Sequence, residues 1–401
     1  MTNPYVEIFR APGASAFAAA GFLARLPLAM VTIGIVTMLS QIDGRYGLAG
    51  AVAATFAVTT ALVSPQVSRL VDRRGQSRVL VPATAVAVIA FLALVLNTRL
   101  GGPDSLLFVF ALVAGVMPSM PAMVRARWTG LYRGRPELHT AFAFESILDE
   151  LIYMAGSVLS IGLSLSLFPE AGLLAAALIL AVGTTLFVAQ KSTEPEVHPA
   201  GTSRGGSAIR IASVRTLVIA LAAVGTIFGT AEVSVIAFSE ALGDKASASY
   251  VLAGYAGGSL VVGIVYGMLR LKAPLSLQFL VAIAIVTLTT APPLLVGSIP
   301  ALAFVFFLAG GAISPTFITA FGLIERLVPG AQLTEGITWG MTGIGIGVAI
   351  GSIASGYVID VFGAQAGFWV SIVAGVVALV TAIFGKGTLR VPGAGDQTVR
   401  V

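Results

Sequence analysis

The sequence predicts an all-α polytopic membrane protein: twelve spanning helices in two pseudo-symmetric six-helix bundles. Three observations predict it. Of 401 residues, 57% are hydrophobic and only 10% are charged, whereas about 25% of a soluble globular chain is charged, so most of the outer surface must face lipid. The apolar residues fall into runs of the length needed to cross a bilayer, about 20 residues each. One long polar stretch, 191–214, separates six such runs from another six.

The predicted spans lie near 16–40, 47–68, 79–98, 105–125, 141–167 and 171–190, then near 215–239, 248–270, 275–296, 300–324, 335–359 and 364–385. Only helices and closed barrels satisfy every backbone group in lipid, and unbroken apolar runs exclude the alternating pattern of a barrel. The first run reads as a signal-anchor, since no small-residue cleavage site follows it. The stretch 191–214 is rich in Pro, Gly, Ser and charge and reads as a cytoplasmic linker. The expected organisation is therefore a bundle over 1–190, the linker over 191–214, and a second bundle with a short cytoplasmic tail over 215–401.

Orientation follows from Lys and Arg in the short loops. With the N-terminus inside, the basic residues of 69–78, 125–135, 191–215 and 386–400, together with Arg10, Arg270, Lys272 and Arg326, face the cytoplasm. Arg204 and Arg400 are among them, while Arg45, Arg99 and Lys245 fall outside and Arg25 lies within the first span. The sequence pI of about 9.7 is thus a positive-inside signature of a multi-pass inner-membrane protein with both termini cytoplasmic, and no nucleic-acid partner is expected. With no Cys, and with its two histidines, His139 and His198, in polar connections, the chain offers no thiol chemistry and no metal site. It shows no nucleophile–base pair for an enzyme and no Walker sequence, so no cofactor and no ATP hydrolysis are expected. The glycines of the eleventh span, Gly340 to Gly351, follow no strand and read as close helix packing, not as a dinucleotide fingerprint.

The two halves echo each other. Tyr46-Gly-Leu-Ala-Gly50 opens the second span and Tyr250-Val-Leu-Ala-Gly254 the eighth; Ala114-Gly115 with Pro118 in the fourth parallels Ala309-Gly310 with Pro315 in the tenth. Residues 68–80, SRLVDRRGQSRVL, place Asp72, Arg73, Gly75 and Arg78 between the second and third spans. They resemble the signature G-x-x-x-D-R-x-G-R-R/K of the major facilitator superfamily, with Ser68 in place of its first Gly. The resemblance extends over the chain, is nearest to the twelve-helix drug:proton antiporter branch, and includes actinobacterial-looking members with RARW at 125–128. Two features depart from that branch: Gly156 is followed by Ser157 where Gly-Pro is usual, and Arg125 and Arg127 are placed at the cytoplasmic end of the fourth span, not inside it.

The resemblance implies a secondary transporter of the bacterial inner membrane working by alternating access, sufficient as a monomer. Its partners would be a small-molecule substrate, protons and membrane lipid. Proton-coupled efflux of an amphipathic or cationic compound is the leading expectation. Proton-coupled uptake symport or uniport of a metabolite is the alternative, and a sensor or lipid-handling protein on the same fold is the alternative of another class.

Ionisable groups inside spans carry the candidate chemistry. Arg25 lies in the first span, and Glu145, Asp149 and Glu150 lie within two turns of the fifth. Glu145 and Asp149 share a face at i and i+4, continued by Tyr153. Because the resemblance makes the first and fifth helices neighbours, one carboxylate is expected to pair with Arg25 while another exchanges a proton. Glu232 of the seventh span is the separate candidate, an isolated acid for a proton or a cationic group. Met30, Met117, Pro118, Met120, Tyr153, Phe228, Glu232, Ser314, Trp339 and Met341 are the expected cavity lining. Family geometry assigns Asp72, Arg73, Gly75, Arg78 and Glu335 to a cytoplasmic gate.

Overall fold

A computed structural model describes residues 3–197, 206–244, 247–269 and 271–390. The readings made for His198, Arg204, Lys245, Arg270, Arg400 and the tail beyond 390 lie outside them. Among the described residues every element is helical. Eleven helices are long and apolar enough to cross a membrane, which makes the chain a multi-pass membrane protein. It forms two compact units, Met1–Arg135 with Leu148–Arg204, and Pro136–Ile147 with Gly205–Val401.

The first unit holds α1 (Pro4–Glu7), α2 (Ala14–Arg25), α3 (Pro27–Asp43), α4 (Tyr46–Arg74), α5 (Gln76–Arg99), α6 (Asp104–Ala114), α7 (Met120–Tyr132), most of α8 (Glu137–Ser166) and α9 (Ala171–Ala189). The expected first span is α2 and α3 together. Pro27 lacks the N–H that would continue the ladder, and the chain passes the break on a tightened turn, with Leu26 N donating to the Leu23 carbonyl at 3.3 Å. The expected fourth span is likewise two helices, α6 and α7, with residues 115–119 between them; neither piece meets the length of a single spanning helix, which is why eleven and not twelve such helices are counted. Pro118 and Pro121 account for the interruption, and carbonyls there find side chains: Ser64 Oγ donates to Met117 O at 3.0 Å and Gln76 Nε2 to Met123 O at 3.0 Å.

The second unit holds α10 (Ala212–Ala241), α11 (Ala248–Met268), α12 (Leu275–Thr289), α13 (Ile299–Gly310), α14 (Ile313–Leu327), α15 (Leu333–Phe362) and α16 (Phe368–Phe384). The first turns of α8 belong here because His139 Nε2–H donates to the Tyr266 carbonyl at 3.0 Å and Thr140 Oγ1 to that of Gly267 at 2.9 Å. The sequence echo is a structural one. The tenth predicted span breaks between α13 and α14 as the fourth does between α6 and α7. Gly115 abuts Thr59 and Thr60 of α4, and Gly310 abuts Tyr255 and Ser259 of α11, so the fourth element meets the second and the tenth meets the eighth in the same way.

The described ends of the connecting stretch, 191–197 and 206–214, are held in place. Lys191–Thr193 forms a 3₁₀ turn and Glu194 Oε1 accepts from Ser77 N–H at 2.7 Å, capping the start of α5. At the other end the Glu335 carboxylate accepts from the Ser207 hydroxyl and, at 3.0 Å, from Ala208 N–H.

Lipid offers no hydrophobic force to press helices together, so contact depends on close backbone approach through small residues. In the second unit α10 and α15 run in the same direction, with Gly343 against Val218, Gly347 against Ala222 and Gly351 against Thr226, while Gly225 and Gly229 face Ile344 and Val348. A methyl group at Gly347 would overlap the Ala222 carbonyl, whereas one at Gly345 meets nothing within 4 Å. Gly347→Ala is therefore expected to destabilise by about 1–3 kcal/mol, the usual cost of overpacking a rigid contact, and Gly345→Ala to leave stability unchanged or slightly raised. Thermal unfolding of the two variants in detergent checks this; equal midpoints would contradict it.

Candidate functional site

The first unit concentrates its charge where three of its helices meet. Arg25 closes α2 immediately before the Pro27 break, and its Nε donates to the Gly21 carbonyl at 3.1 Å. On α8, Gly156 lets the helix approach that break closely: a Cβ there would stand 2.8 Å from Ala29 Cβ and 3.1 Å from the Leu26 carbonyl. Two turns earlier on α8, Asp149 receives Arg25 Nη1 on Oδ1 at 2.9 Å and Arg125 Nη2 on Oδ2 at 2.7 Å. Arg125 comes from α7, and its Nη1 reaches the Pro121 carbonyl at 3.4 Å. Both arginine side chains are buried, at 0% and 1% exposure, and Asp149 is 20% exposed. One carboxylate thus bridges two guanidiniums, one oxygen to each.

The expected partner of Arg25 among the three acids is therefore Asp149. Arg125 was placed at the cytoplasmic end of its span, as an orienting charge; the structure buries it as the second partner. The available signal was its setting, PAMVRARW, in which neither arginine is flanked by polar sequence on its N-terminal side. Arg127 is buried as well. It donates to Gln76 Oε1 at 2.8 Å, Gln190 O at 2.7 Å and Thr193 Oγ1 at 2.9 Å, and lies 3.8 Å above the Phe187 ring.

Glu145 is fully buried and Glu150 partly buried. Glu232, read as a buried isolated acid, is exposed on α10; an apolar segment does not reveal which side of its helix meets a neighbour. Of the expected lining residues, Met30 and Met117 are part of the first unit's apolar core, Pro118 and Met120 are buried, and Tyr153 is exposed. In the second unit Phe228 stacks on Phe317 at 5.9 Å, Ser314 Oγ lies 2.8 Å from Ser259 Oγ, Trp339 Nε1 donates to Glu335 at 3.3 Å, and Met341 is half-buried. An apolar recess in this unit, walled by Tyr255, Phe306 and Phe368, includes none of them. In the loop motif, Gly75 takes φ +89° as it ends α4, a conformation that side chains rarely adopt. Asp72 is half-buried and Arg73 and Arg78 are exposed. Two arginines placed outside are matched by acids: Arg45 grips Asp104 at 2.7 and 2.8 Å, and Arg99 meets Glu170 at 2.7 Å.

This architecture is the fold of major facilitator transporters. Residues 217–398 match the family model of the Major Facilitator Superfamily, and solved structures extend the likeness of fold over nearly the whole chain. The human organic anion transporter MFSD10 (TETRAN) superposes with a TM-score of 0.70 at 14% identity, covering 95% of this chain and 100% of its own. A bacterial homologue of the iron transporter ferroportin, in an outward-facing state, gives 0.73 at 18% identity over 92% and 98%. The Escherichia coli fucose:proton symporter FucP gives 0.68 at 14% over 96% and 99%. No curated protein sequence matches the chain significantly.

Removing the bridging acid takes one ion-pair partner from each of two buried guanidiniums. Asp149→Asn is expected to destabilise by about 3–5 kcal/mol, the range for breaking a buried pair. Arg125→Met, which leaves Asp149 its bond to Arg25, should cost less. Thermal midpoints of both variants in detergent decide the order.

Proposed function

We propose that this chain is a secondary transporter of the major facilitator superfamily with twelve spans, moving a small amphipathic solute by alternating access in exchange for protons, in the direction of export. The observation that carries the proposal is the buried Arg25–Asp149–Arg125 cluster. Ionised groups inside an apolar membrane unit are costly and mark solute or ion pathways, and no soluble-phase role requires them there. The match over 217–398 and the fold likeness to transporters support the class.

Both oxygens of Asp149 are engaged by arginines, so a proton taken up there must displace at least one ion pair. That makes protonation a conformational event rather than a passive titration. Glu145, fully buried one turn earlier on the same helix, and Glu150 are the proposed alternates for the transferred proton, with Glu232 as a separate acid in the second unit. Arg125 and Arg127 join Arg25 among the buried groups, so the buried charge of the first unit is not acidic alone. Tyr153 in the first unit and Phe228, Trp339 and Met341 in the second are the proposed solute-contacting side chains, and Asp72, Arg73, Gly75, Arg78 and Glu335 the proposed gating groups. Two bundles, 1–190 and 215–401, are the proposed moving bodies, in an inner membrane with both termini cytoplasmic.

Uptake coupled to protons is the second reading. It is favoured by the fold likeness to a fucose:proton symporter and by Ser157 where the antiporter branch carries Pro. Efflux-deficient bacterial cells expressing the protein separate the two. With a lipophilic cationic dye and an anionic carboxyfluorescein dye, export predicts lowered dye content that a protonophore abolishes and that Asp149→Asn or Glu145→Gln removes. Unchanged content of both dyes, with the protein present in the membrane, would sink the export reading in favour of uptake.

A further inference from the structure

The shape of the charged cluster also bears on which solute it takes. Arg25 and Arg125 come from different helices, α2 and α7, and each is secured by a carbonyl of its own preceding turn, Gly21 at 3.1 Å and Pro121 at 3.4 Å. Their positions therefore do not depend on Asp149 alone. Between them they present one N–H each to the two oxygens of a single carboxylate, at 2.9 and 2.7 Å. Of the three side chains only Asp149 has appreciable exposure. A bridge of this kind is a carboxylate receptor already filled by a carboxylate.

We propose that Arg25 and Arg125 form a binding fork for the carboxylate of an amphipathic acid, with Asp149 as its resting occupant and the solute as its exchange partner. The proposal rests on the transport reading and narrows its substrate class. When Asp149 takes up a proton and swings away, two buried guanidiniums are left without that charge, a costly state. A solute carboxylate restores both hydrogen bonds and the charge balance. Solute binding and Asp149 protonation are thus linked, one proton to one carboxylate, and by reciprocity a lower pH tightens solute binding. A cationic solute gains nothing from two guanidiniums. Ionisable groups near Asp149 include Arg25 from α2 and Arg125 from α7, with Glu145, Glu150 and Tyr153 within about one turn on α8 itself. On α9, which packs against α2, there is no ionisable residue, and on α3 the single one, Asp43, stands at the far end.

The test uses the purified full-length protein and three probes of one size: benzoate, benzamide and benzylammonium. Thermal unfolding is followed at matched ionic strength, at about pH 5.5 and about pH 7.5, where benzoate stays ionised. Benzoate at about 50 mM should raise the midpoint by about 2 °C at the lower pH, as expected for a small ligand with Kd about 1 mM. With one proton taken up per carboxylate, its affinity should be about a hundredfold weaker at the higher pH. Benzamide and benzylammonium should give no shift. Asp149→Asn should bind benzoate equally at both pH values, and Arg125→Gln should not bind it. Should these variants fail to fold, the wild-type series decides alone. Stabilisation by benzylammonium equal to that by benzoate, or no benzoate shift at either pH, overturns the fork; so does a pH dependence that persists in Asp149→Asn. The export reading fails separately: benzoate binding without dye export in cells would leave the fork and remove the exporter.

Discussion

One carboxylate shared by two buried guanidiniums governs the first unit. Three ions in an apolar interior persist only where their geometry is good, because desolvation costs several kcal/mol per ion. The local features of α2, α7 and α8 serve that geometry. Pro27 ends the ladder next to Arg25, the Pro121 carbonyl one turn earlier receives Arg125, and Gly156 brings α8 close to the Pro27 break. A change in any of these would move a charge, and a displaced charge in this environment has no water to fall back on.

The second unit solves the same packing problem without charge. Its first and fifth helices, α10 and α15, correspond by the internal repeat to the α2–α3 and α8 pair, yet they meet through glycine, alanine and threonine along parallel axes. Backbones then approach so closely that no side chain fits between them, and dispersion between the two helices replaces the ion pair. The repeat has kept the helix pairing and the interrupted fourth element in both units while the adhesive has diverged.

The described ends of the connecting stretch are each held by a carboxylate. Pro, Gly, Ser and charge between 191 and 214 suggest a flexible tether, but Glu194 caps α5 and Glu335 holds Ser207 and Ala208. Each end of the stretch is fastened to the unit it adjoins. Helix starts present free N–H groups that a carboxylate satisfies, and a lone Glu beside a proline in a polar loop carries no sign of that use until the helix start it meets is known.

Membrane character and helical structure were determined by the sequence alone, because the absence of water in the bilayer leaves a long apolar segment few conformations. The sequence likewise carried the loop motif, whose glycine at 75 takes a positive φ, and marked Arg25, Glu145 and Asp149 as charges within apolar segments. What it left undecided was direction around each helix axis and offset along it. Whether Glu232 points inward, whether Arg125 ends a span or sits inside the unit, and which acid meets Arg25 all depend on helix rotation and on interruptions of a few residues. Hydropathy is a sum over a segment and is blind to both. Only the tertiary structure decided them, because a helix turns 100° per residue and the neighbours that select one face over another come from elsewhere in the chain.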